Sequence, residues 1–234
     1  MKRSEDPENL VDRVYSAILA TLSDQVALTS EKLSISGLAQ SLDVSRTPVN
    51  MALVRLECDG LVRRGPDSGW YTNPLGIGDI NEIFDIKEAL GPIFMSKAAL
   101  KITPKATVEL LSTVEIMERA AQANNLEQWL EADKRYHEIL FEVVGNCRYK
   151  RIQKQLNSQI YKLRVGHMVI GDRMTISSRQ HREMAEAVAS KDPQLAAEAT
   201  LEHIRSLKAS LLHLVENILI PIWGRQTLSP ERER

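Results

Sequence analysis

The 234-residue chain has little that would announce a function at first sight. It has two cysteines, Cys58 and Cys147, and they form neither a CxxC pair nor a disulfide framework. That excludes a cysteine-built zinc finger and a disulfide scaffold, and it fits a reducing compartment. An excess of charge of either sign is missing too: 30 Lys and Arg stand against 31 Asp and Glu. Bulk charge therefore points to no polyanionic partner. The longest apolar run, 211–223, is interrupted by His213, Glu216, Asn217 and Pro221, which excludes a membrane span. Met1-Lys2-Arg3 leads into acidic residues rather than an apolar segment, so a secretory signal is not expected and a cytoplasmic location is. Internal repeats and low-complexity segments are absent. Aromatics make up only 5%, with 11 Gly and 9 Pro.

What remains is long stretches rich in Ala, Leu, Glu, Lys and Arg, a composition that favours helix. The length has room for two modest domains. The expected fold class is mainly α.

The organising stretch of the first domain runs from Leu42 to Leu56. Val49, Ala52, Leu53 and Leu56 recur at helical spacing and make one apolar face. Ser45 is placed to cap that helix, and Pro48 falls in its first turn, where a missing N–H costs little. Arg46, Thr47 and Asn50 lie near its N-terminal end, off the apolar face. Arg can fork onto guanine and Asn can pair with adenine or a phosphate, which suits a helix lying in the major groove. The alternative is an ordinary surface helix. Upstream, Ser34 caps a short helix whose buried side is Leu38, Ala39 and Leu42, so helix, turn and helix follow one another. Downstream, Gly60 ends the second helix, and Leu61–Arg64 and Trp70–Thr72 bracket the turn-rich Gly65-Pro66-Asp67-Ser68-Gly69 as two strands of a wing. A first helix opens at Asp6-Pro7 and buries Leu10, Val14, Ala17, Ile18 and Leu22. Residues 1–74 carry 8 basic and 10 acidic residues, so only a local cluster of Arg46, Arg63 and Arg64 offers positive charge.

The run LSISGLAQSLDVSRTPVNMALVRLECDGLVRR…SGW resembles the winged helix-turn-helix of GntR-type bacterial transcription regulators, VSRTPV and ALVRLECDGLV most specifically. The resemblance covers about 10–74. It implies DNA contacts from Ser36, Ser45, Arg46, Thr47, Asn50, Arg63, Arg64 and Gly69. Asn50 stands where the family usually has Arg, and Ser36 where a basic residue is frequent, so the usual operator sequence is not implied.

A linker at 75–78 separates residues 1–74 from a second domain at 79–222, and 223–234 form a polar tail. The second domain shows only helical periods, over 79–101, 104–123, 126–145, 147–170, 173–191 and 193–220. Six such helices with short loops read as an antiparallel bundle. The third has an inward stripe of Leu126, Leu130, Leu140, Phe141 and Val144, and Asp133 and His137 fall on it four residues apart. His181 lies among Met184, Ala185 and Val188, and His203 among Ala199, Leu207, Leu211 and Leu214. Three imidazoles and a carboxylate can hold a borderline divalent metal, zinc above all, with nickel or manganese as alternatives. They can also be separate core histidines, each bonded locally.

The segment ADKRYHEILFEVVGN resembles the sensor domain of the FadR branch of GntR regulators, the FCD type. Six helices place it nearer the VanR-like subgroup. That resemblance, over about 79–221, implies one metal held by Asp133, His137, His181 and His203, with open positions for the carboxylate of a small organic acid. It also implies a nearby cation, for which Lys87 and Arg164 are the candidates; the family often has Arg at position 87 and Glu at Gly91. His167 and His213 match nothing and are read as structural.

The expected function is a ligand-responsive transcriptional repressor, a homodimer on palindromic double-stranded DNA. A metal-dependent enzyme fused to a DNA-binding module is the alternative from another class. However, His137-Glu138 meets Phe141, not His, at the fifth position of an HExxH motif, and no nucleophile or general base is placed. A regulator with a purely structural metal is the third reading.

Overall fold

A computed structural model describes residues 7–24 and 30–221. The expected Asp6 cap and the tail from 223 onward lie outside the described residues. The chain divides into two compact units. The first holds helix α1 (Pro7–Asp24), strand β1 (Lys32–Leu33), α2 (Ile35–Ser41), α3 (Arg46–Cys58), β2 (Val62–Arg64) and β3 (Trp70–Thr72).

Ser34 caps α2 as expected, its Oγ accepting from the Gly37 amide at 3.1 Å. Asp43 takes a left-handed φ of 51° and turns the chain into α3. Ser45 occupies the N-cap of α3, but its side chain makes no cap hydrogen bond, so the expected capping is not made. The C-terminus of α3 closes through Gly60 at φ 76°, with the Leu61 amide donating to the Leu56 carbonyl at 2.9 Å. Val49, Ala52, Leu53 and Leu56 are wholly buried, packed with Val14, Ile18, Leu22, Val62 and Trp70 in the unit's core.

The sheet has three strands in the order β1-β3-β2, all antiparallel, with Leu33 opposite Trp70 and Arg63 opposite Tyr71. Sequence periodicity misses β1 because two residues carry no period. In the wing loop, Ser68 takes φ 58°, and Asp67 accepts from the Gly69 amide at 2.9 Å while pairing with Lys32 at 2.5 Å.

The second unit contains α4 (Ile77–Lys101), α5 (Pro104–Gln122), α6 (Leu126–Val144), α8 (Arg173–Ala189), α9 (Pro193–Leu214) and the two ends of α7 (Cys147–Met168). A π-helical turn over Val215–Leu219 follows α9. Thr103, Asn125, Asn146 and Asp192 each cap the following helix through their side chains. Helix α4 begins at Ile77, so Ile77 and Gly78 are helical and the linker is shorter than expected.

A second departure concerns α7. Residues 154–163 group with the first unit. There Gln155 and Gln159 donate from Nε2 to the Cys58 and Asp59 carbonyls, both at 2.8 Å. Two glutamines one turn apart give no sequence signal of this.

The buried face of α6 is also turned from the expected stripe. Trp129, Ala132, Asp133, Tyr136, Ile139, Leu140 and Val144 are buried, whereas Leu126, Leu130 and Phe141 are only half-buried. Trp129 and Tyr136 are large enough to set the packing, and the Trp129 indole N–H is satisfied by the Ser178 hydroxyl at 2.8 Å.

Candidate metal centre and DNA-reading face

Three of the four expected ligands meet. Asp133 and His137 on α6 and His181 on α8 bring one ligating atom each to within 4.8 Å of one another. Asp133 Oδ1 lies 3.2 Å from His181 Nε2 and 3.6 Å from His137 Nε2. His203 on α9 lies just outside this group, its ring centroid 4.9 Å from that of His181.

Tautomers are set from behind. His181 Nδ1 donates to the Ser177 carbonyl at 2.7 Å, and His203 Nδ1 donates to Gln180 Oε1 at 3.0 Å. Each Nε2 is therefore left as a lone pair, the form that coordinates a metal. The His181 Nε2 and Asp133 Oδ1 atoms are buried and lack hydrogen-bond partners. Buried polar atoms left in that state call for an electrophile. A divalent cation answers both, so the residues present fit a metal.

Protonation states agree with this. Burial pushes His137 down to about 4. Burial, together with His181, His137 and Arg173, holds His203 well below its ordinary value. Burial alone would raise the Asp133 carboxyl, but Arg164, His181 and His137 outweigh it and keep it ionised far below the carboxylate range. At neutral pH His137 and His203 are therefore neutral and Asp133 is an anion, as coordination requires.

The two candidate effector cations have different roles. Arg164 on α7 donates to Asp133 Oδ2 at 2.6 Å, so it is engaged with the ligand carboxylate and orients it. Lys87 on α4 is buried, reaches Gln153 Oε1 at 3.3 Å, and lies over the Phe84 ring. Burial and the Arg164 charge push Lys87 down to about 7. At Gly91, a Cβ would meet Ile204 Cδ1 at 2.6 Å. Any side chain here would require the Ile204 methyl end on α9 to move aside.

The residues expected to contact DNA lie on the first unit. Ser45, Arg46 and Thr47 are exposed at the N-terminal end of α3, and Ser36 is exposed on α2, sharing a 3.1 Å hydroxyl contact with Ser34. Asn50 is half-buried, and its amide donates back to the Arg46 carbonyl at 3.2 Å. On the wing, Arg64 stacks 3.6 Å over the Trp70 ring and donates to the Ser68 carbonyl, while Arg63 lies over Tyr71 and reaches the Ser30 hydroxyl. Gly69 supports the loop by donating its backbone N–H to Asp67 Oδ1.

The sequence reading missed Met51 and Val54. They are 55% and 47% exposed and continue the outward face of α3 from Thr47 at helical spacing. Two exposed apolar residues on the free face of a helix whose other face is fully buried were the available signal.

A winged helix-turn-helix followed by an all-α bundle is the architecture of a two-domain DNA-binding regulator. The comparisons with known proteins give the family. Residues 10–72 match the model for bacterial regulatory proteins of the gntR family, and residues 82–206 match the FCD domain. The chain belongs to the GntR family and carries an FCD domain.

Among its relatives is an uncharacterised HTH-type transcriptional regulator in the TAR-I ttuE-ttuC′ intergenic region of Agrobacterium vitis. It is 36% identical over 133 residues, which is 56% of this chain and 78% of the relative. The Nta operon transcriptional regulator of Aminobacter aminovorans is 23% identical over 87% of this chain and 95% of its own length. The structure of E. coli McbR/YncC shares the fold, with a TM-score of 0.75 at 19% identity, covering 88% of this chain and 99% of that one. No helix among the described residues is long and apolar enough to cross a membrane.

Proposed function

We propose that this GntR-family regulator is a cytoplasmic repressor whose FCD bundle binds a divalent metal and, through it, a small organic carboxylate that alters DNA affinity. The observation that carries this reading is the facing pair of partnerless buried atoms, Asp133 Oδ1 and His181 Nε2, 3.2 Å apart. Asp133, His137 and His181 would hold the ion, with His203 as fourth ligand and zinc as the metal of first choice. The metal, when bound, supplies a Lewis-acidic site for a carboxylate oxygen. Arg164 holds Asp133 in place through its second oxygen, and Lys87 supplies positive charge from α4.

The first unit, residues 1–74 in outline, would bind a palindromic operator as a homodimer, since one winged helix reads too few base pairs for a genomic search. Arg46, Thr47 and Asn50 would read base edges. Ser36, Ser45, Arg63, Arg64 and Gly69 would hold the backbone, and Met51 and Val54 would meet thymine methyl groups. Effector binding shifts DNA affinity only through different affinities for two arrangements of the protein.

His137→Ala tests the sensor. Metal content by mass spectrometry should drop sharply, and the carboxylate-dependent release from an operator fragment should vanish while DNA binding itself persists. Full metal content, or an undiminished effector response without metal, would sink the assignment.

A further inference from the structure

Away from the metal cluster, the bundle buries a second polar group that the reading above does not use. Arg173, the first residue of α8, is only 5% exposed, and its Nε and Nη2 atoms are buried without a hydrogen-bond partner. Nη1 makes a single long contact, 3.4 Å to the Ser210 hydroxyl on α9. Close by, His167 on α7 is 8% exposed and its Nδ1 is likewise without a partner. A guanidinium buried beside a partnerless imidazole nitrogen, with only one long hydrogen bond of its own, is costly for a fold to hold, and an anion satisfies both.

The position of this site relative to the metal cluster follows from the helices. Arg173 precedes Gln180 and His181 on α8 by seven and eight residues, and Ser210 follows His203 on α9 by seven. Each offset is two helical turns, about 10–12 Å along the axis. Arg173 and Ser210 thus form the layer two turns from the His181–His203 layer on the seam where α8 packs on α9. The Arg173 charge is felt at both ends, lowering the proton affinity of His167 and of His203.

We propose that Arg173, with Ser210 and His167, anchors one carboxylate of an effector that carries two, the other being the carboxylate held at the metal centre. The inference rests on the metal-and-carboxylate reading and narrows it from organic acids in general to dicarboxylates. Recognition at two points also explains why a fold would bury a guanidinium here: it is one jaw of a clamp.

The test uses the full-length, zinc-loaded protein. Malonate, succinate, glutarate and adipate are each titrated by calorimetry against the monocarboxylate of equal length. At least one dicarboxylate should bind about tenfold or more tightly than its monocarboxylate partner, the worth of a charge-assisted hydrogen bond. Arg173→Met should erase that preference and raise the melting temperature of the ligand-free protein, because an unpartnered buried charge becomes an apolar side chain of similar reach. Arg173→Lys, which keeps the charge but loses the fork, should leave an intermediate preference. Equal affinities in the unaltered protein, or a preference that survives both substitutions, overturns the Arg173 assignment and leaves the metal-and-carboxylate reading intact. Failure of every mono- and dicarboxylate to bind overturns both.

Discussion

Asp133 shows how much one side chain can organise. One oxygen takes the Arg164 guanidinium and the other faces His137 and His181, so three helices meet at a single buried carboxylate. Removing it with Asp133→Ala should destabilise even the metal-free protein, by about 3 kcal/mol, because Arg164 loses its partner; urea unfolding after chelation reads this directly.

Proton linkage adds a second expectation at this scale. His167 is held at about 4 by burial first, then by Arg173 and His213. Its folded value lies below its unfolded one, so the stability tied to the neutral ring is present above about 6.5 and is lost as pH falls toward 4. Metal-free protein should therefore lose stability across that window. His167→Gln should flatten part of the loss, on the order of 1–2 kcal/mol. An unchanged pH profile in that variant would mean the ring is already protonated or exposed.

On the reading face, Arg46→Ala should weaken operator binding by about 1–3 kcal/mol per subunit if it forks onto guanine. Gel shifts with unchanged affinity would remove Arg46 from the interface.

At the level of elements, the bundle was largely legible because its punctuation is local. Thr103, Asn125, Asn146 and Asp192 announce helix starts, and Gly145 at φ 69° ends α6. Helix faces were harder. The stripe on α6 was drawn through Leu126, Leu130 and Phe141, whereas volume favours Trp129 and Tyr136, and only the neighbouring helices reveal which rotation wins. Asp133 and His137 were nonetheless placed together, since four residues on one helix meet in either rotation. Arg173 gave no sequence signal at all, because an Arg at a helix start reads as solvated until its burial is known.

Caps offer a matched pair of tests. Ser34→Ala removes a hydrogen bond that is made and should cost about 1 kcal/mol. Ser45→Ala removes none and should leave the melting temperature unchanged. Equal losses of stability from both would show that α3 depends on its serine after all.

For the whole molecule, the separate cores predict separable failures. The cluster around Val49, Leu53 and Trp70 shares no residue with the cluster around Trp129, Tyr136 and Met117. Stripping the metal should lower the melting of the bundle while near-native DNA binding survives. The N-terminal residues have a slight acidic excess, so operator affinity should fall less steeply with salt than that of a strongly cationic binder. A steep slope would mean more phosphate contacts than Arg46, Arg63 and Arg64 provide. The division of roles also bears on how such a sensor ages under mutation. His181 is aimed by a main-chain carbonyl, which no substitution at Ser177 deletes, whereas His203 is aimed by the side chain of Gln180, which a single codon change removes. One orientation is heritable with the helix itself and the other must be kept by selection, so in diverging descendants of this chain the set of the His203 ring is the first to be lost.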